Sequence, residues 1–261
     1  MILPILFVYA LTRLFWEISS RPEVMFGPWR LTSMVWLDGV LKVLLWVLPT
    51  VVALKLLRRE SWRDAWSELG LLTPAWAGTG LMAASTLPMI ALPMAAAFTR
   101  FDVASFATFV VLGPVAEEVL YRGFLFQQLW HRARWPVWAA ALGSSVVFAL
   151  AHYRDLDEQL VLGFLRDDLY ASLAVIGPPM LAAVAGGCLF AWITWRWRSL
   201  WPAIALHGAV NFWWDISVRV PEVPAAVAQT TALAVAVGIT LTWRKTARRD
   251  VSSLPASPPV R

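Results

Sequence analysis

A single cysteine, a single asparagine and three histidines are all that this 261-residue chain contains of those types. With Cys188 alone, no intramolecular disulfide and no cysteine metal cluster can form. Charge is scarce too. Charged residues make up 15% of the chain, where a soluble domain carries about 25%. The basic residues are scattered through short loops and form no patch, and no nucleic-acid motif is present, so nucleic acid is not an expected partner. There is no H-E-x-x-H, no internal repeat and no soluble domain.

What is abundant is apolar surface: 59% hydrophobic residues and a mean hydropathy of +0.62. The chain reads as an all-α, polytopic membrane helix bundle embedded in a lipid bilayer. A span needs about 20 mostly apolar residues. Eight segments qualify, near 2–16, 33–54, 75–98, 103–130, 136–151, 171–195, 200–218 and 224–243. The first apolar run has no preceding basic residue and no A-x-A exit, so it is expected to stay as the first helix. The expected organisation is one membrane domain over 1–245, with a motif-bearing core at 103–218 and a disordered tail at 246–261. Basic residues cluster at Lys55–Arg63, Arg132–Arg134, Arg196–Arg198 and Arg244–Arg249. By the positive-inside rule these mark the cytoplasmic side, with both termini inside and a bacterial inner membrane as the expected location.

Within these spans lie ionisable residues that cost about 2.5–3.5 kcal/mol each to insert at the bilayer centre. In the fourth span, "GPVAEEVLYRGF" holds Glu117, Glu118 and Arg122. Glu118 and Arg122 are four apart and can pair on one helix face, leaving Glu117 for chemistry. Gly113-Pro114 just before them is expected to break or kink the helix. The fifth span closes on "FALAH", which puts Phe148 and His152 on one face. The seventh contains "HGAVN", which aligns His207 with Asn211 one turn apart. In the second span Asp38 and Lys42 are four apart and are expected to neutralise each other.

The residues assemble a hydrolase. Glu117, made a better base by burial, would take a proton from water that His152 positions. His207 and Asn211 would donate to the oxyanion. A bland alternative exists for each set: a packing ion pair, an interfacial histidine, interhelical hydrogen-bond glue. Two histidines and a carboxylate could also hold zinc, although no set supplies two histidines, and the metal-free reading is preferred with no cofactor. A proton-coupled transporter would be expected to show a second broken helix, for which Pro178-Pro179 is the nearest candidate.

Taken in order, E-E-x-x-x-R, F-x-x-x-H and H-x-x-x-N over residues 113–212 resemble the CPBP (CAAX protease and bacteriocin-processing, Abi) family of intramembrane glutamic proteases. The resemblance implies a CAAX protease-like endopeptidase in which Glu117 and His152 activate water. His207 and Asn211 form the oxyanion hole, and Glu118, Arg122 and Phe148 support the site. Its implied substrate is a membrane-associated protein or peptide of prenylated, bacteriocin-like or sorting-signal type. The alternative within the same fold is a non-catalytic immunity or scaffold protein. Residues 1–98 and 220–261 carry no matching motif.

Overall fold

The computed structural model describes residues 2–20, 35–58, 61–72, 76, 79–80, 106–152, 169–219 and 225–251. Among them every regular element is helical. The elements are α1 (Ile2–Ser20), α2 (35–58), α3 (Trp62–Glu68), α4 (106–132), α5 (Val137–His152), α6 (Leu169–Trp197), α7 (Trp201–Arg219) and α8 (Ala225–Val251). A helix satisfies its own backbone polar groups, which is what a lipid-embedded chain requires. All but one of the expected spans coincide with α1, α2, α4, α5, α6, α7 or α8. The remaining one, 75–98, lies largely outside the described residues, as do 252–261 of the expected tail. α8 runs on to Val251, so the start of that tail is helical. By length and composition, Gly39–Leu56 and Gly177–Trp197 are apolar enough to cross a membrane.

α4 is the axis of the bundle. Every residue from Val119 to Phe126 is buried, in a core shared with Val8 and Phe15 of α1, Trp46 and Val51 of α2, and Phe148 of α5. α5 and α6 pack along each other, α7 lies against α4, α6 and α8, and α2 covers the first half of α4. The short α3 starts with a capping box. The Ser61 hydroxyl accepts from the Asp64 amide at 3.2 Å, and the Asp64 carboxylate accepts from the Ser61 amide at 3.3 Å. The turn after it places Gly70 at φ +75°, and the Gly70 carbonyl accepts from Leu200 N–H, fixing where α7 begins.

The expected break at Gly113-Pro114 is not there. α4 runs continuously through it and changes pitch instead, from a π-helical stretch (Phe106–Leu112) to an α-helical one (Gly113–Glu118), then back to π (Val119–Phe126). Pro114 therefore lies inside a continuous helix, and a carbonyl one turn before it loses its regular amide donor. A Cβ on Gly113 would lie 3.0 Å from the Thr108 carbonyl oxygen, so any larger residue would crowd the wide turn. Pro178 and Pro179 likewise lie inside α6 without ending it. Among the described residues there is no broken helix of the kind the transporter reading needs.

Candidate active site

Glu117 and Glu118 sit at the end of the α segment of α4, 5% and 0% exposed. The structure makes the expected pair: Arg122 Nη1 donates to Glu118 Oε1 at 3.2 Å, with both side chains fully buried. Glu117 is not left over, as the sequence reading had it. Lys42 of α2 donates to Glu117 Oε1 at 3.0 Å. The Asp38 side chain, its expected partner, lies outside the described residues. The reason for the difference is geometric: α2 crosses the first half of α4, which brings Lys42 to a carboxylate far away in sequence. Among the described side chains each carboxylate thus meets a cation, and this lowers the cost of burying them.

His207 of α7 joins the two acids. Its Nδ1 lies 2.8 Å from Glu118 Oε1, and its Nε2 lies 3.6 Å from Glu117 Oε2. When Nδ1–H donates to the Glu118 carboxylate, neutral imidazole turns the Nε2 lone pair toward Glu117. The 3.6 Å gap is too long for a direct hydrogen bond, and a water touching both atoms would be polarised from two sides. The ring is held by aromatic faces. Phe190 of α6 stacks on it at 5.0 Å and 18°, and Phe148 meets it edge-on at 6.2 Å. The Arg122 guanidinium in turn lies 4.3 Å from the centre of the Phe148 ring. Phe148 therefore links the fifth-helix motif to both others, and Phe190 is a site residue that nothing in the sequence distinguished from the other phenylalanines. Room for Arg122 comes from Gly187 of α6, where a Cβ would lie 2.6 Å from Nη2.

Asn211 donates to the Phe109 carbonyl at 2.9 Å. In the π register, the carbonyl of residue 109 looks for the amide of residue 114, which is Pro114 and has none. The asparagine thus satisfies an acceptor that the proline leaves without its regular donor, tying α7 to α4. Close approach makes this possible, because a Cβ on Gly208 would collide with the Val110 carbonyl oxygen. Gly208→Val is accordingly expected to push α7 off α4, separating His207 from both glutamates. Unfolding in detergent should shift by about 1–3 kcal/mol, the usual cost of overpacking.

His152 ends α5, one turn beyond Phe148, and its side chain lies outside the described set. α1 secures that end of α5, since Trp16 Nε1 donates to the Ala151 carbonyl at 2.9 Å. The third histidine, His131, is exposed at the end of α4, and partial burial, with the Arg132 charge beside it, holds its pKa below the ordinary value. Among the described residues no group of three or more His, Cys, Asp or Glu side chains is arranged to hold a metal ion. A cavity of about 440 Å³ lies beside the site, lined by Phe106, Val110, Val115, Ile204, Gly208 and Phe212 among others. Its lining is apolar and includes neither glutamate nor His207.

An acid pair, a histidine and two cations buried together in a helical membrane bundle are costly to keep there, which makes this cluster the candidate functional site. Residues 99–213 match the model of a family described as type II CAAX prenyl endopeptidase Rce1-like. No curated protein and no solved structure matches the chain. The family is one of membrane-embedded CAAX proteases that act on membrane-associated protein substrates. The matched segment spans α4, α5, α6 and most of α7, so it holds all three motifs but not Lys42.

Proposed function

We propose that the chain is a metal-independent intramembrane endopeptidase in which Glu117 is the general base. The observation that carries the reading is the division of labour between adjacent carboxylates. Glu118 is committed to Arg122 and to His207 Nδ1, while Glu117 presents Oε2 toward His207 Nε2 across a gap that a water can bridge. That water would give its proton to Glu117 Oε2 as its oxygen attacks the scissile carbonyl. The proton would then pass to the departing amine. Glu118 acts as the orienter, fixing the imidazole tautomer through Nδ1. His207 was expected to be an oxyanion donor; in the neutral tautomer its Nε2 accepts instead, so it would hold the water. Asn211 would offer the oxyanion its second amide hydrogen, the first being held by Phe109. His152, one turn past Phe148, would complete the water site.

The substrate would be membrane-associated, with its apolar part in the cavity between α4 and α7. Prenylated, bacteriocin-like and sorting-signal peptides all satisfy that chemistry. The test compares peptide termini in membrane fractions of cells carrying the wild-type chain and cells carrying Glu117→Gln at matched protein level. Termini present only with the wild type support the endopeptidase and identify its substrate. Identical termini, with the biological phenotype kept by the variant, would replace it with a non-catalytic scaffold or immunity protein.

A further inference from the structure

The lysine that reaches the acid pair is one of three in the chain, and it comes from a helix outside the matched segment. Its position is built. The ammonium lies 5.4 Å from the centre of the Phe15 ring and 5.5 Å from that of Trp46, and these two rings contact each other at 5.1 Å. Trp46 Nε1 donates to the Leu11 carbonyl at 3.2 Å, and Thr12 of α1 hydrogen-bonds the Tyr121 phenol at 3.0 Å. α1 and α2 thus form a braced unit that delivers one cation to one carboxylate, and the side chain is only 14% exposed.

The two oxygens of Glu117 are consequently not equivalent. Oε1 is taken by Lys42, and Oε2 is turned to His207. We propose that Lys42 is a positioning residue for the catalytic base. It keeps the Glu117 carboxylate ionised beside a second carboxylate, and it pins Oε1 so that Oε2 is the atom that meets the water. This rests on the reading of Glu117 as the base. Among the described residues the charged and titratable groups around Glu117 are Lys42 from α2, Glu118, Tyr121 and Arg122 from α4, and His207 from α7; the side chains of Asp38 of α2 and His152 of α5 lie outside the described set. Without Lys42, the fixed cation left beside adjacent Glu117 and Glu118 among the described residues is Arg122. Two carboxylates sharing a buried site then resolve their repulsion by one taking a proton. A protonated Glu117 cannot act as a base.

The experiment uses the full-length chain in lipid nanodiscs at neutral pH, read by infrared absorption of protonated carboxyl groups. Wild type, Lys42→Met, Lys42→Gln, Lys42→Arg and Lys42→Met/Glu117→Gln are compared. Both Lys42→Met and Lys42→Gln should gain a protonated-carboxyl band absent from wild type. Lys42→Arg should not gain it, and the double variant should lose it, which assigns the band to Glu117. Lys42→Gln keeps a hydrogen-bond donor without charge, so it separates charge from packing and stands in if the methionine variant does not fold. With a farnesylated CAAX peptide as the probe, kcat of the uncharged variants should fall about 10- to 100-fold near neutral pH, because only the ionised carboxylate can take the proton. KM should stay within about twofold, raising the pH should recover rate, and Lys42→Arg should keep most of the wild-type activity. Unchanged carboxyl spectra in both uncharged variants would overturn the proposal. If wild type leaves the probe uncut, the infrared result still decides the role of the lysine, and the failure counts against the proposed protease activity instead.

Discussion

Glu117→Gln is expected to lower kcat for peptide cleavage by about 10²–10⁴-fold, the usual contribution of a positioned general base. The fold should survive, because glutamine keeps an oxygen near Lys42 Nζ and fills the same volume. Three of the interactions that hold this region do not involve Glu117: Arg122 with Glu118, His207 with Glu118, and Asn211 with Phe109. KM should change little, since the lost carboxylate acts on water and not on the bound peptide. Glu117→Asp retracts the base by one methylene and should retain partial rate, whereas a purely structural acid would lose stability in both variants. Steady-state kinetics of purified wild type and both variants, at matched folding by circular dichroism, makes the comparison.

Arg122→Met should cause the largest loss of stability, on the order of 3–5 kcal/mol, because it leaves Glu118 buried without its fixed cation. Both side chains are fully buried, and the guanidinium is enclosed by Phe148, Phe190 and Tyr121. Glu118→Gln/Arg122→Met should recover much of that loss, since a neutral pair has no uncompensated charge. It should not recover activity, because the His207 tautomer depends on the Glu118 carboxylate. Unfolding of the single and double variants in detergent, set out as a double-mutant cycle, separates the two effects. Equal stability of Arg122→Met and wild type would mean that the pair does not hold the core.

The sequence reading reached the helical spans because each is a continuous apolar run, and it reached the Glu118–Arg122 pair because that contact lies within one helical turn. It also brought Phe148 and His207 forward, and these meet across α5 and α7. What it missed lay far apart along the chain. Lys42 was paired with Asp38 on local spacing, a contact that rests on a side chain outside the described residues, and only the crossing of α2 over α4 shows that the lysine also reaches Glu117. The same holds for Phe190, whose stacking on His207 depends on the register of α6 and leaves no trace in composition. The alternation of π and α turns in α4 was illegible for another reason: proline in an apolar helix signals a break, and the glycine and asparagine that accommodate it sit on two different helices. His152 and the span at 75–98 belong to stretches whose partners the described residues do not include.

The most direct test of the account is a single turnover of wild-type enzyme on a farnesylated CAAX peptide in H₂¹⁸O, with product and enzyme both analysed by mass spectrometry. Water activated by Glu117 puts one ¹⁸O into the new product carboxylate and none into the enzyme. Label found in the Glu117 carboxylate would show that the glutamate attacked the peptide itself, and the activated-water mechanism would be wrong.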